Sequence, residues 1–190
     1  ELLKQMRKTT RYSIRKAEKD GVTIKVSTDP EDAKIIYHLQ EATVGRHKFA
    51  PFPKKYFEAQ LSHFGQNNDA LLYWAEYQGE PIAAALIVFF GQTAVYHMGA
   101  SSNEFRHLTA SHLIQWEAIC EAKRRGVWWY NFWGIIEEDN KKHPWYGLSL
   151  FKKGFGGEVV KFLHAQDKPV SWKYPAIYAF ETLRRKKRGL

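Results

Sequence analysis

Ala70-Leu-Leu-Tyr-Trp-Ala-Glu-Tyr-Gln-Gly-Glu-Pro-Ile-Ala-Ala-Ala-Leu-Ile-Val-Phe-Phe-Gly-Gln-Thr-Ala-Val-Tyr-His-Met98 is the stretch that decides the fold. Three β-favouring runs, at 70–77, 82–90 and 93–98, are separated by Gln78-Gly79-Glu80 and Gly91-Gln92. Glycine-bearing breaks this short mark hairpins, because tight turns need a backbone conformation that side chains resist. The stretch therefore predicts a meander of three antiparallel strands. Its most apolar run, Ile82 to Phe90, is strand-sized and well short of the ~20 residues a membrane helix needs.

On the C-terminal side, a helix is predicted over Ala110 to Arg125, stopping at Gly126, then an aromatic strand from Val127 to Phe132. A polar loop follows at Glu137–His143, then a Lys-Gly-Phe-Gly-Gly turn, a strand Glu158–His164 and a terminal helix Tyr174–Arg185. On the N-terminal side, residues 2–19 read as a helix capped at Gly21, and Val22–Val26 as a strand. Asp29-Pro30-Glu31 opens a helix to about Thr43, with Asp29 as N-cap and Pro30 at the first helical position. A proline-punctuated loop, Phe49 to Pro53, leads into a helix from Lys54 to about Gly65. This order predicts an α/β (α+β) domain with a mixed, mostly antiparallel sheet flanked by helices. It is the arrangement of the GNAT-like N-acyltransferase fold.

Composition narrows the partners. The chain of 190 residues carries a formal charge of +9, with 44% hydrophobic and 15% aromatic residues. A basic surface of this size favours polyanions, whether nucleic acid, anionic lipid headgroups or phosphorylated metabolites. Cys120 is the single cysteine, so an internal disulfide is excluded and a reducing cytoplasm is expected. The histidines His97, His107, His112 and His143 lack metal-ligand spacing, and no metal is expected. Trp128, Trp129 and Trp133 are expected in the core or on the sheet face. The first residue is Glu1, so a fragment of a longer chain is expected.

Phe151-Lys-Lys-Gly-Phe-Gly-Gly157 carries the chemical signal. Two lysines lie between two aromatics, and three glycines fall within four positions. Cation, flat ring and pliable backbone together suit an anionic, ring-bearing partner such as an RNA end. A coenzyme A site, by contrast, requires small residues ahead of the central helix so that backbone N–H groups can hold a pyrophosphate. Ala110 fits the second small position, but Leu108 occupies the first, so acetyl-CoA binding is not expected and no cofactor is.

Met6-Arg-Lys-Thr-Thr-Arg-Tyr-Ser-Ile-Arg-Lys-Ala-Glu18, Tyr96-His-Met-Gly-Ala-Ser-Ser102, Leu113-Ile-Gln-Trp-Glu-Ala118 and the 151–157 segment together resemble the FemABX family. These are non-ribosomal peptidyltransferases that build peptidoglycan cross-bridges from aminoacyl-tRNA. The resemblance implies an acyltransferase of cell-wall biogenesis. It would move an amino acid from aminoacyl-tRNA to the side-chain amine of a peptidoglycan precursor's stem peptide, a nucleotide- or lipid-linked muropeptide, with peripheral contact at the inner membrane face. It also implies tandem GNAT-like domains, of which this chain resembles the second. Residues 1–21 would link from a preceding domain, 22–170 form the acyltransferase domain, and 171–190 return as a helix and basic tail.

The resemblance places Lys152 at the acyl-transfer centre as the catalytic residue, with Phe151 and Lys153 binding the tRNA end. Arg11, Arg46, Tyr56 and Tyr96 are the substrate-binding positions it implies. Phe52 stands where the family has an arginine four residues before Tyr56, and Met98 where a second aromatic is expected. Both changes point to an altered acceptor contact. Two other readings stand beside this one: a non-catalytic basic GNAT-like module that binds RNA or a partner, and a CoA-dependent N-acyltransferase. Both lysines of the 151–157 segment are expected at a solvated surface.

Overall fold

The computed structural model describes residues 1–47, 51–136, 140–163 and 166–188. Its sheet has five strands: β1 (Thr23–Ser27), β2 (Ala70–Tyr77), β3 (Glu80–Phe90), β4 (Thr93–Ser101) and β5 (Trp129–Asn131). They lie in chain order, with β1 to β4 joined antiparallel and β5 added parallel to β4. The meander read from the sequence is therefore present, and β5 is reached through a crossover helix.

Helix order follows from capping and from which face each strand leaves apolar. The N-terminal segment is two helices, α1 (Leu2–Gln5) and α2 (Lys8–Lys19), and not one over 2–19. Met6 and Arg7 take extended ψ values of 149° and 143° and break the run. Asp29 caps as expected, its carboxylate accepting the Glu31 N–H at 2.9 Å. A 3-10 turn over Pro30–Asp32 then leads into α3 (Ala33–His47). α4 covers Lys54–Phe64 and α5 covers Ala110–Arg124.

Side-chain alternation sends Leu72, Ala84, Leu86 and Ala100 to one face of the sheet, where they meet Ile36 and Leu39 of α3 and Phe57 and Leu61 of α4. The other face is covered by α5, which buries Leu113, Ile114 and Ala118. α2 packs on α5, and the Thr109 hydroxyl just before α5 donates to the Ser13 carbonyl at 2.8 Å. Among the described residues no helix is long and apolar enough to cross a membrane.

Two compact units result, Glu1–Gly134 and Ile135–Leu190. The second contains α6 (Tyr146–Lys153) and α7 (Tyr174–Arg188). Among the described residues, 158–163 form no strand, contrary to expectation: β-favouring side chains make a strand only where a partner strand pairs with them. The rest of that expected strand and the Glu137–Asp139 part of the polar loop lie outside the described residues. The tryptophans also depart from expectation: Trp128 is 79% exposed, and Trp129 and Trp133 are exposed too.

Candidate functional site

In the C-terminal unit the Phe-Lys-Lys motif lies on the last turn of α6 and not on a turn between strands. Helical spacing turns the two lysines apart: Lys152 is 8% exposed and Lys153 is exposed. The expectation that both are solvated fails for Lys152. Burial pushes its ammonium below the usual lysine pKa, because desolvation disfavours the charged form. Phe151 is half-buried and meets Phe155 edge to face, with ring centroids 5.2 Å apart. Ser149, buried one turn earlier, accepts the Ile136 N–H at 3.0 Å and ties the start of the unit to α6. Lys153 lines a shallow depression with Ile136, Tyr146, Ser149 and Leu150.

The glycines after α6 end the helix. The Phe155 and Gly156 N–H groups return to the Lys152 and Lys153 carbonyls, and Gly156 and Gly157 take φ of 79° and 87°. A Cβ on Gly157 would meet nothing within 4 Å, so this glycine is needed for its left-handed backbone and not for a close approach. A desolvated ammonium on the last turn of a helix can stabilise negative charge formed next to it.

In the N-terminal unit, Tyr56 of α4 forms a hydrogen bond between its hydroxyl and His97 Nε2 at 2.9 Å. Gln60, one turn along α4, places its amide nitrogen 3.4 Å from the same Nε2. His97 reaches α4 because β4 carries one extra residue: Ile87 pairs with Tyr96 and Leu86 with Met98, leaving His97 unmatched. A row of rings follows, with Phe52 stacked on Tyr56 at 4.5 Å, Tyr56 beside His97 at 6.3 Å and His97 beside Trp133 at 6.4 Å. Phe52 is held there by Gln40, whose buried amide accepts the Phe52 N–H at 3.1 Å and donates to its carbonyl at 2.9 Å. Burial pushes the His97 pKa below its ordinary value.

Tyr96 belongs to the other face. Its ring meets Phe132 edge to face, and it lies near Tyr130, whose hydroxyl donates to Gln115 of α5 at 2.8 Å. Burial raises its pKa to about 12. Gly99 makes room for this phenol, since a Cβ there would overlap the Tyr96 hydroxyl. Arg11 turns back along its own helix and donates to the carbonyls of Met6 at 2.6 Å and Lys4 at 3.3 Å, closing the break between α1 and α2. Arg46 lies on α3, with its side chain outside the described residues.

Tyr56 is thus brought together with His97, Gln60 and Phe52, and Tyr96 is not among them. His97, Gln60 and Gln40 were missed by sequence reasoning. The spacing of Tyr56 and Gln60, one helical turn apart, was the available signal; the extra residue in β4 was not legible. Among the described residues no group of His, Cys, Asp and Glu could hold a metal ion.

The fold is that of the GNAT acyltransferases. A ribosomal-protein-alanine N-acetyltransferase from Brucella melitensis biovar Abortus superposes with a TM-score of 0.55 over 78% of this chain and 100% of its own, at 11% identity. The structure of FemX superposes with a TM-score of 0.75 at 23% identity, covering 82% of this chain and 55% of that one. The sequence profile of the FemAB family matches residues 1–79 and 73–182. The aminoacyltransferase FemA of Staphylococcus epidermidis is 31% identical over 137 residues, which is 71% of this chain and 32% of that protein. FemA of Staphylococcus aureus is 33% identical over 98 residues, covering 52% of this chain and 23% of its own length. This chain belongs to the FemAB family. It spans about a third or less of the length of these curated relatives, 32% and 23%.

Proposed function

We propose that this chain is the second GNAT-like domain of an aminoacyltransferase. That enzyme moves an amino acid from aminoacyl-tRNA to the side-chain amine of a peptidoglycan precursor, in the cytoplasm and in peripheral contact with the inner membrane face. The observation that carries the reading is the family match running from residue 1 to residue 182. Lys152 is the catalytic residue in this reading. The ester of an aminoacyl-tRNA is already activated, so attack by an amine requires positioning and charge stabilisation more than a strong base. The buried Lys152 ammonium would stabilise the tetrahedral oxyanion or the departing ribose hydroxyl. Phe151 would stack on the terminal base, and exposed Lys153 would meet the phosphates. Arg11, Arg46, Tyr56 and Tyr96 are assigned to the acceptor and the neighbouring domain.

The domain assignment has its own support. Along α7, Ile177, Phe180 and Leu183 recur three residues apart and are all at least 60% exposed, an apolar stripe suited to a packed partner. In this reading residues 1–21 enter from a preceding domain and 171–190 return to it.

Incubating the full-length protein with aminoacyl-tRNA and a nucleotide- or lipid-linked muropeptide should yield an amino acid joined to the stem peptide. No transfer to either acceptor would overturn the proposal. Acetyl-CoA should not be turned over, and the structure shifts the reason. Leu108 is buried in the core, and Thr109, with φ of 54°, commits its hydroxyl to Ser13 at the start of α5. Micromolar acetyl-CoA binding by calorimetry would contradict this.

A further inference from the structure

His97 has no part in the assignment above, yet it holds one of that assignment's residues. Two side chains from α4 converge on its Nε2: the Tyr56 hydroxyl at 2.9 Å and the Gln60 amide nitrogen at 3.4 Å. An amide nitrogen only donates, and a protonated Nε2 would face it donor to donor. Both contacts are favourable together when Nε2 carries a lone pair and the proton sits on Nδ1. The neutral ring this requires agrees with the effect of burial on His97. Tyr56 is then the donor of its bond to His97. A phenol that has donated its proton still has lone pairs to offer, but no proton.

We propose that His97 is a specificity-determining residue: by fixing the Tyr56 proton inward, it leaves the Tyr56 oxygen to accept from a ligand hydroxyl or amide N–H. This rests on the reading of Tyr56 as an acceptor-substrate contact. The ligand group it selects is a sugar hydroxyl or a peptide amide; a phosphate oxygen, which needs a donor, is disfavoured at this position. The surroundings suit the same chemistry. Phe52 lies parallel to Tyr56 within 22°, is 39% exposed, and is pinned by Gln40, so a flat apolar face stands next to the accepting oxygen. Trp133 flanks His97 on the other side, 56% exposed and held at a left-handed φ of 62° that a bulky residue rarely adopts. Rings with exposed faces beside one polar atom fit a pyranose or an amide plane.

Heteronuclear correlation spectra of the imidazole in the full-length protein read the tautomer without any substrate. A protonated Nδ1 and a bare Nε2 are expected; a protonated Nε2 overturns the inference whatever the enzyme's activity. Affinity for a nucleotide-linked muropeptide, measured by calorimetry, tests the consequence. Tyr56→Phe and His97→Phe should each weaken binding by roughly five- to tenfold, the usual scale for one neutral hydrogen bond. The double variant should be no weaker than either single one, because both remove the same contact. His97→Gln, whose amide oxygen can replace the Nε2 lone pair, should bind within about threefold of the wild type on that same scale. Wild-type binding that none of these changes alters would overturn the specificity claim, even with the expected tautomer. A wild-type protein that transfers amino acids, with variants of this face that bind the muropeptide as tightly as it does, would therefore sink the inference and spare the function. One that binds no muropeptide would sink both.

Discussion

Residues 1–134 fill a sheet from both sides, with Ile36, Phe57, Leu72 and Leu86 all no more than 1% exposed. In residues 135–190 the buried hydrophobic and polar side chains among the described residues are Ile136, Ser149, Lys152 and Phe155. There Phe162, Leu163, Val170 and Trp172 are all more than 80% exposed. The first unit is specified by its own packing. The second has apolar residues to spare and counts a lysine among its few buried side chains, so its exposed apolar surface suits contact more than self-contained packing.

The largest expected effect tests the packed side of this contrast. Phe57→Ala should destabilise the protein by about 3–5 kcal/mol, the range for emptying a buried aromatic site, as read by denaturant unfolding. A loss under ~1 kcal/mol, far below that range, would mean the unit is less tightly packed than its burial indicates.

Lys152→Met tests the other side. It removes the charge and keeps an unbranched apolar stem, so the transfer rate should fall by roughly a hundredfold or more while acceptor affinity holds. The desolvated charge also leaves a signature in stability. The sign in pH follows from the lowered pKa. Between the folded value and the unfolded value near 10.5 the unfolded chain binds more protons, so wild-type stability rises with pH across that window. Below the folded value the full cost is present. Lys152→Met should abolish the rise, and an unchanged pH profile would show that Lys152 is not desolvated.

Lys153→Ala should have a smaller effect. With its neighbour's charge intact, tRNA affinity should fall modestly, and the slope of log affinity against log salt should shrink by about 0.7, one single-strand phosphate contact. Equal rate losses in the Lys152 and Lys153 variants would reduce the pair to a basic patch. The smallest effect is expected at Phe162→Ser, 82% exposed, where isolated-chain stability should move by no more than about 0.5 kcal/mol.

The meander was legible because turn chemistry and apolar runs agreed from Ala70 to Met98, and the Asp29 cap because its residue type and position are both specific. Local pattern failed where pairing decides. Val159-Val-Lys-Phe-Leu163 has strand-like residues but joins no sheet among the described residues, whereas the helix over Tyr146–Lys153 was hidden by the glycines that end it. The burial of Lys152 was equally hidden, since composition assigns lysine to solvent. Arg11 was legible as a substrate-binding position implied by the Met6–Glu18 motif but not as the group that bridges a helix break, because that break sits at Met6 and Arg7, where no glycine or proline announces it. Tyr96 carried the family resemblance and Tyr56 was a position it implied; that His97 and not Tyr96 meets Tyr56 depends on one surplus residue in β4.

That surplus residue has a consequence for how the strand can vary. Tyr96 answers to Phe132 and Tyr130 and His97 to α4, although they are neighbours in sequence, so substitutions at the two positions are insulated from each other by the thickness of the sheet. Selection can retune the wall beside Tyr56 through position 97 while the phenol packed over Gly99 keeps the opposite layer intact. Deleting a single residue between Val95 and Met98 would end that independence, because the ladder would run straight and one of the two layers would lose its side chain.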